Sequence, residues 1–186
     1  MSPHCQLLRP ETTALLVIDM QEKLLSFVWE KERVLANVGK LLRLAGLMGI
    51  KTLLTTQYSK GLGPTAPEIT RLAPDAPLDK VTFGCLGDQK ILERLNSGMT
   101  VSHTLLVAGI ETHICVTQTV LGALAAGYRV HVARDATSSR AAANVEAGVE
   151  RMRSAGAVIS STEMAIYELL GRSDREEFRQ MLPYLR

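Results

Sequence analysis

Short runs of apolar residues alternate with longer segments of helical periodicity along almost the whole chain. Six runs are short enough to be strands, and they cover residues 14–18, 52–56, 81–83, 105–109, 129–133 and 157–159. The first and the fourth contain no polar residue, which is typical of strands that are covered on both faces. Since parallel strands need long connections, this alternation predicts an α/β fold of three layers, a six-stranded parallel sheet with helices on both faces.

The segments between these runs predict the helices. Apolar residues recur at helical spacing over 34–48, 88–95, 145–154, 164–170 and 175–182, and again from Cys115 to Gly127. Residues 58–77 differ, because they contain Gly61, Gly63, Pro64, Pro67, Pro74 and Pro77. This segment is predicted to be an irregular loop, and such a long loop in a compact domain usually forms or covers a functional site.

The composition sets the class of protein. With 186 residues, 46% of them hydrophobic, the chain is long enough for a single domain over 1–186 with a substantial core. Its 21 basic and 19 acidic residues give a net charge of only +2, and 4% of residues are aromatic, so neither nucleic acid nor a membrane surface is an expected partner. Three scattered cysteines, together with no leader pattern and no membrane-spanning run, predict a cytoplasmic protein.

Three polar residues lie beside the predicted strands. Asp19 directly follows the first run, Lys80 adjoins the third, and Cys115 comes soon after the fourth. In open parallel sheets, ligands bind beyond the carboxyl ends of the strands. The sequence therefore predicts that these three side chains share one edge of the sheet.

Cys115 falls where a helix is predicted to begin, with Thr112 as the N-cap. Free N–H groups and the helix dipole favour an anion there, which predicts a thiol of lowered pKa. Asp19 would then serve as a base, Lys80 would balance its charge, and backbone N–H groups would hold an oxyanion. The spacing equally allows a structural ion pair between Asp19 and Lys80 beside an inert, buried cysteine.

Three segments resemble the signature segments of the isochorismatase-like cysteine hydrolases. They read TALLVIDMQ at 13–21, LDKVTFG at 78–84 and GIETHICV at 109–116. That superfamily includes nicotinamidases, N-carbamoylsarcosine amidases and ureidoacrylate hydrolases. The resemblance extends roughly from residue 13 to residue 170, and residues 55–68 and 135–140 are similar to its isochorismatase-domain-containing branch.

The resemblance implies a Rossmann-like sheet and an Asp-Lys-Cys triad. Cys115 would be the nucleophile, Asp19 the base, and Lys80 the group that positions and balances both. The resemblance also implies a cis peptide bond between Ile110 and Glu111, which turns backbone N–H groups of the cysteine loop, including that of Cys115, into an oxyanion hole. The implied activity is hydrolysis of a small amide, ureido or related carbonyl compound through a thioester, without a cofactor.

Two departures from relatives narrow this activity. Nicotinamidases hold a metal with an Asp-x-His motif and a second histidine after the second strand, where this chain has TQYS at 56–59. The four histidines (His4, His103, His113 and His131) show no ligand spacing, so no metal is expected, and nicotinamide is not the expected substrate. Isochorismatases of siderophore pathways replace the cysteine with a smaller residue, so Cys115 favours amide hydrolysis over vinyl-ether cleavage. A non-enzymatic interaction or regulatory role on the same scaffold, and isochorismate-type vinyl-ether hydrolysis, are the alternatives.

Three further residues are candidates for substrate binding. Gln21 follows Asp19 by two positions, Gln57 lies at the end of the second strand, and Tyr58 begins the loop after it. The alternatives are that Gln21 orients Asp19 or caps the next segment, that Gln57 is a solvated loop residue, and that Tyr58 belongs to a packed surface loop or a subunit contact. Relatives commonly assemble from several copies, so the resemblance also implies a homo-oligomer.

Overall fold

The computed structural model describes residues 7–97 and 104–185. Its strands are β1 (Thr13–Ile18), β2 (Lys51–Gln57), β3 (Leu78–Lys80), β4 (Thr104–Ile110), β5 (Arg129–Ser138) and β6 (Val158–Ser160). All neighbouring strands are parallel, in the order β3-β2-β1-β4-β5-β6. This is the Rossmann strand order, so the predicted three-layer fold is confirmed.

Helices cover both faces of the sheet. One face carries α2 (Lys31–Met48), α8 (Thr162–Leu170) and α9 (Glu176–Met181), and the other carries α5 (Gln89–Asn96), α6 (Thr117–Ala125) and α7 (Ala142–Ser154). Short helices α1 (Glu22–Leu25), α3 (Ser59–Leu62) and α4 (Pro67–Thr70) lie within connections. No helix among the described residues has the length and apolar character needed to cross a membrane.

The central strand β1 shows why its apolar run is continuous. Leu15 and Val17 pack into the core under α2, α8 and α9, whereas Ala14, Leu16 and Ile18 pack into the core under α5, α6 and α7. Successive side chains of a strand point to opposite faces, so a strand between two helical layers buries every residue. All six residues of β1 are buried, and so are all seven of β4.

The third strand differs from its prediction at 81–83. It is formed by Leu78–Lys80, which pairs with 55–57 of β2. The apolar residues Val81 and Phe83 lie beyond the strand, and their exposed fractions are 73% and 55%. The prediction is wrong because β3 is a short edge strand, held partly by the Asp79 carboxylate, which accepts hydrogen bonds from Thr56 and Ser59.

β1 and β4 approach each other closely where both strands end. Gly109 of β4 has a φ of +117°, and a Cβ added to it would lie 2.1 Å from the carbonyl oxygen of Ile18. Only glycine tolerates this conformation and this contact. The strand order also reverses between β1 and β4, which is the place where parallel sheets of this kind bind ligands.

We expect Gly109→Ala to lower the free energy of unfolding by more than about 3 kcal/mol, because backbone strain and overpacking add together. Gly156→Ala is the matched control, since its φ is +106° but no atom lies within 4 Å of an added Cβ. This control should cost only about 1–2 kcal/mol. Urea denaturation measures both values, and an equal loss in the two variants would contradict the close approach of β1 and β4.

Candidate active site

A buried ion pair lies at the carboxyl edge of the sheet. Lys80 Nζ is 2.7 Å from Asp19 Oδ2, and neither side chain has exposed surface. Because β2 lies between β3 and β1, the Lys80 side chain reaches across one strand to meet Asp19. Thr55 Oγ1 donates a hydrogen bond of 2.7 Å to the other carboxylate oxygen, Oδ1. Buried charges persist only when such partners compensate for lost hydration, so the surrounding groups hold this pair in place.

The backbone of Asp19 adopts a left-handed conformation, with a φ of +52°. Its N–H donates to the Thr55 carbonyl at 3.1 Å, and its carbonyl accepts from the Gln21 N–H at 2.7 Å. Non-glycine residues in this region of backbone conformation cluster at functional sites, where the surrounding structure maintains the strain. Asp19 is therefore fixed by both its side chain and its backbone.

Gln57 and Gln21 support the lysine. Gln57 Oε1 accepts a hydrogen bond of 2.7 Å from Lys80 Nζ, and Gln57 Nε2 donates to the Val81 carbonyl. Gln21 Oε1 accepts from the Gln57 N–H, and Gln21 Nε2 donates to the carbonyls of Gln57 and Gly63. Both amides already have protein partners, so the structure gives these residues an orienting role. Their contact with substrate stays a prediction.

Cys115 lies in a π-helical turn, Thr112–Val116, that joins β4 to α6. The Glu111 carbonyl closes the turn by accepting from the N–H groups of Ile114 and Val116, at 3.1 and 3.2 Å. Thr112 is the first residue of this turn and its side chain makes no capping bond, so its prediction as the N-cap is wrong. The regular helix α6 begins only at Thr117.

The peptide bond between Ile110 and Glu111 is cis, as the resemblance implies. It directly precedes the turn that carries Cys115. The oxyanion hole in this segment stays a prediction.

The Cys115 thiol does not have the lowered pKa that the sequence predicts. Burial is the largest influence on it, and together with the charge of Asp19 and a hydrogen bond to that carboxylate it raises the thiol pKa to about 12. Lys80 opposes the shift but does not reverse it. Desolvation and a nearby carboxylate thus outweigh the backbone N–H groups. At neutral pH the thiol keeps its proton, and the Asp19 carboxylate lies close enough to influence its pKa.

A second buried thiol, Cys85, lies close to this group. Its backbone N–H donates to Thr119 Oγ1 at 3.0 Å, and that hydroxyl donates to the Cys115 carbonyl at 2.6 Å. Burial raises the pKa of Cys85 to about 11, so this thiol is also protonated. Sequence reasoning missed the bridging roles of Thr55 and Thr119, because a threonine in a strand or helix carries no local signal of such a contact.

Exposed apolar side chains lie on segments at the same edge of the sheet. Tyr58 follows β2, has an exposed fraction of 52%, and its N–H donates to the Lys80 carbonyl at 2.8 Å. Val81 follows Lys80 directly, and Phe83 comes two residues after Val81. Trp29, from the connection between α1 and α2, is tied to the end of β5 by a hydrogen bond from its N–H to the Ser139 carbonyl. We call these four exposed side chains, Trp29, Tyr58, Val81 and Phe83, the apolar rim, because the segments that carry them follow strand ends at this edge of the sheet.

In the described part of the chain, no three histidine, cysteine, aspartate or glutamate side chains are grouped as they would be in a metal site. His131 is buried in β5, and His113 Nδ1 lies 2.9 Å from Ser139 Oγ. His4 and His103 lie outside the described residues. The expectation of a site without metal stays a prediction.

Comparison with known proteins agrees with the resemblance of the three sequence segments. Residues 13–164 match the model of the Isochorismatase domain. The chain is 35% identical over 176 residues to the secreted isochorismatase effector Isc1 of Phytophthora sojae. The matched region covers 92% of this chain and 83% of that protein. It is 31% identical over 172 residues to isochorismatase domain-containing protein 2 of Bos taurus, with coverage of 92% and 82%.

Solved structures with the same fold carry different descriptions. The MAR1 ribonuclease of Caenorhabditis elegans has a TM-score of 0.89 at 32% identity, over 97% of this chain and 92% of that one. YcaC from Pseudomonas aeruginosa, solved with hexane-2,5-diol and covalent acrylamide, has a TM-score of 0.89 at 28% identity, with coverage of 97% and 92%. YcaC of Escherichia coli, described as an octameric hydrolase of unknown specificity, has a TM-score of 0.88 at 27% identity, with coverage of 96% and 90%. With a domain match over most of its length and relatives above 30% identity, this chain belongs to the isochorismatase family.

Proposed function

We propose that the chain is a metal-independent cysteine hydrolase that acts on a small amide, ureido or related carbonyl compound. The observation that carries this proposal is the buried Asp19–Lys80 ion pair, which Thr55 holds in place and which is close enough to Cys115 for the Asp19 charge to raise the thiol pKa. A protonated nucleophile, a base and a fixed counter-charge are the parts that acyl transfer through a thiol needs. Asp19, Lys80 and Cys115 are the proposed triad.

Acylation begins with transfer of the thiol proton from Cys115 to Asp19. The sulfur attacks the carbonyl carbon, and the electron pair of the C=O bond moves to oxygen, where N–H groups of the turn after Glu111 stabilise the charge. The tetrahedral intermediate collapses, the C–N bond breaks, and Asp19 returns its proton to the leaving nitrogen. The products are an amine or ammonia and a thioester on Cys115.

Deacylation uses the same groups in reverse order. Asp19 takes a proton from water, the resulting hydroxide attacks the thioester carbonyl, and the C–S bond breaks. Cys115 then recovers its proton from Asp19. Lys80 stabilises Asp19 whenever that carboxylate is ionised, and the N–H groups of the turn hold the negative charge while it is on the carbonyl oxygen.

Two properties of relatives support this reaction class over the alternatives. The Escherichia coli relative is described as a hydrolase, and the Pseudomonas aeruginosa relative carries covalent acrylamide. Since this chain retains a cysteine at the site, we favour amide-type hydrolysis over vinyl-ether cleavage. A scaffold without activity does not need a thiol in contact with a carboxylate, although it would conserve the same fold.

The name of the Caenorhabditis elegans relative raises RNA as a competing substrate. The net charge of +2 and the 4% aromatic content of this chain argue against RNA binding, because such binding depends on basic and stacking surfaces. We keep the small-molecule proposal and use RNA as a competing substrate in the assay below.

We also propose a cellular location and an assembly state for the protein. The sparse cysteines support a cytoplasmic location, whereas one relative is named a secreted effector. The octameric relative supports a homo-oligomer.

We also propose Tyr58, in the apolar rim, as a substrate contact.

We expect Cys115→Ala to reduce hydrolysis by at least about a thousandfold while the fold is kept, because the nucleophile is lost and little volume is removed. Cys85→Ala is the matched control, a buried thiol in the same region that should keep activity within about threefold. The assay measures release of ammonia or amine from a panel of small amides and ureido compounds, with a labelled RNA oligonucleotide alongside. Turnover that survives in Cys115→Ala, or cleavage of RNA alone, would refute the proposal.

The thiol contact predicts opposite shifts in two variants. Because the Asp19 charge raises the thiol pKa and the Lys80 charge lowers it, Asp19→Asn should move the midpoint of Cys115 alkylation below about 12 and Lys80→Met should move it higher. Iodoacetamide labelling across pH, followed by mass spectrometry of the Cys115 peptide, measures both. Hydrolysis should fall in both variants, even where Asp19→Asn labels faster. Equal midpoints in all three proteins would mean that Cys115 is not coupled to the pair.

Tyr58→Ala should raise KM several-fold and leave kcat within about twofold, since a residue on the rim binds the substrate without taking part in the chemistry. Tyr167→Ala on α8 is the control, because Tyr167 has a similar exposed fraction of 47%. Steady-state kinetics on a substrate found in the panel gives both constants. A loss confined to kcat would contradict a binding role for Tyr58.

A further inference from the structure

A second ion pair lies beside the turn that carries Cys115. The Glu111 carboxylate accepts three hydrogen bonds from Arg140: from the backbone N–H and Nε at 3.0 Å each, and from Nη2 at 2.7 Å. The Glu111 side chain has an exposed fraction of only 9%, against 62% for Arg140. Planar pairs with two parallel N–H···O bonds are geometrically specific, so this contact fixes orientation as well as distance.

Glu111 is anchored at both ends. Its carbonyl accepts the two N–H groups that close the cysteine turn, and its carboxylate is bound to Arg140, in the connection between β5 and α7. Burial acts to raise the pKa of Glu111, but the hydrogen bonds and charge of Arg140 outweigh it and lower that pKa. The carboxylate is therefore ionised at neutral pH, and the pair is fully formed.

The same connection contacts the turn at neighbouring points. Ser139 Oγ lies 2.9 Å from His113 Nδ1, and α7 approaches so closely that a Cβ on Gly148 would lie 3.1 Å from the Cα of His113. The turn thus packs against α7, and the Glu111–Arg140 pair anchors its N-terminal end. Sequence reasoning considered only the backbone at Glu111, and nothing in it singled out Arg140.

We infer that Glu111 and Arg140 form a positioning pair that holds the Cys115 turn against the buried Asp19–Lys80 pair. This inference rests on the proposed function, because it assigns the pair to the alignment of the proposed nucleophile. The Glu111 carboxylate is occupied by Arg140, so the pair acts through the turn and is not a catalytic group. The charged groups that act directly on the Cys115 thiol are Asp19 and Lys80, and Cys85 has the smallest influence on it.

Alkylation of Cys115 separates positioning from a simple effect of charge. A loosened turn hydrates the thiol and moves it away from Asp19, and both changes lower its pKa. Positioning therefore predicts a lower midpoint in Glu111→Ala and in Arg140→Ala alike. A pure charge effect predicts opposite shifts, because one variant removes a negative charge and the other a positive one.

The experiment measures iodoacetamide labelling of Cys115 across pH in Glu111→Ala, Arg140→Ala and the double variant. We expect the midpoint to fall by about one pH unit or more in each, with no further fall in the double variant, because the two residues act as a unit. Arg94→Ala is the matched control, since Arg94 forms an exposed pair with Asp75 at 2.6 Å far from the turn. It should keep the wild-type midpoint.

Two readouts exclude general unfolding. Cys85 in the same sample should stay unlabelled, since it is fully buried and becomes accessible only when the fold opens. Added guanidinium ion should restore the midpoint of Arg140→Ala, because it can occupy the vacated place beside Glu111, whereas the same concentration of sodium chloride should not.

Unchanged midpoints, opposite shifts in the two single variants, or co-labelling of Cys85 without guanidinium rescue would each overturn the inference. Failure of the proposed function has a different signature. In that case the panel of amides and ureido compounds would show no turnover that depends on Cys115, whatever the labelling midpoints of the Glu111 and Arg140 variants.

Discussion

The buried contact between Lys80 and Asp19 is the constraint on which the rest of this site depends. Two charges without exposed surface at 2.7 Å need further partners, and the fold supplies them from the neighbouring strand, as Thr55 to the carboxylate and Gln57 to the ammonium. Gln21 in turn binds the backbone of Gln57. Removing one member of such a pair costs about 3–5 kcal/mol, because the other charge is left buried and alone. Thr55, Gln57 and Gln21 therefore hold their positions at this edge as partners of one ion pair.

The position of that pair follows from the topology. The strand order reverses between β1 and β4, so the end of β1, where Asp19 lies, faces the turn after β4, where Cys115 lies. Gly109 allows the two strands to approach there without a side chain between them. Solved structures with the same fold carry differing descriptions, so the fold by itself does not choose the substrate. In our proposal, Tyr58 at this edge contacts the substrate.

The raised pKa of the thiol changes how the proposed nucleophile works. A thiolate stored at neutral pH would be exposed to oxidation and to any passing electrophile, since both reactions follow thiolate character. Cys115 instead keeps its proton, because burial and Asp19 disfavour the anion. In the proposed mechanism, the thiolate forms only as the proton moves to Asp19 during attack. Alignment of thiol and carboxylate would then matter more than thiol acidity, and this is the role that we infer for Glu111 and Arg140.

The sequence alone determined the layers of the fold and the chemistry available at one edge of it, because strand and helix periodicities are local and because residues after apolar runs meet at the carboxyl end of a parallel sheet. It failed for β3, where polar pairing at an edge replaced apolar burial, and for the start of α6, where a π-helical turn intervened. Only the tertiary structure decided the sign of the thiol pKa shift, which depends on burial and on a carboxylate that is distant in the sequence. It also decided the contacts of Lys80 with Asp19 and of Arg140 with Glu111, which join residues 61 and 29 positions apart. Desolvation and hydrogen-bond partnership of that kind exist only after the chain has folded.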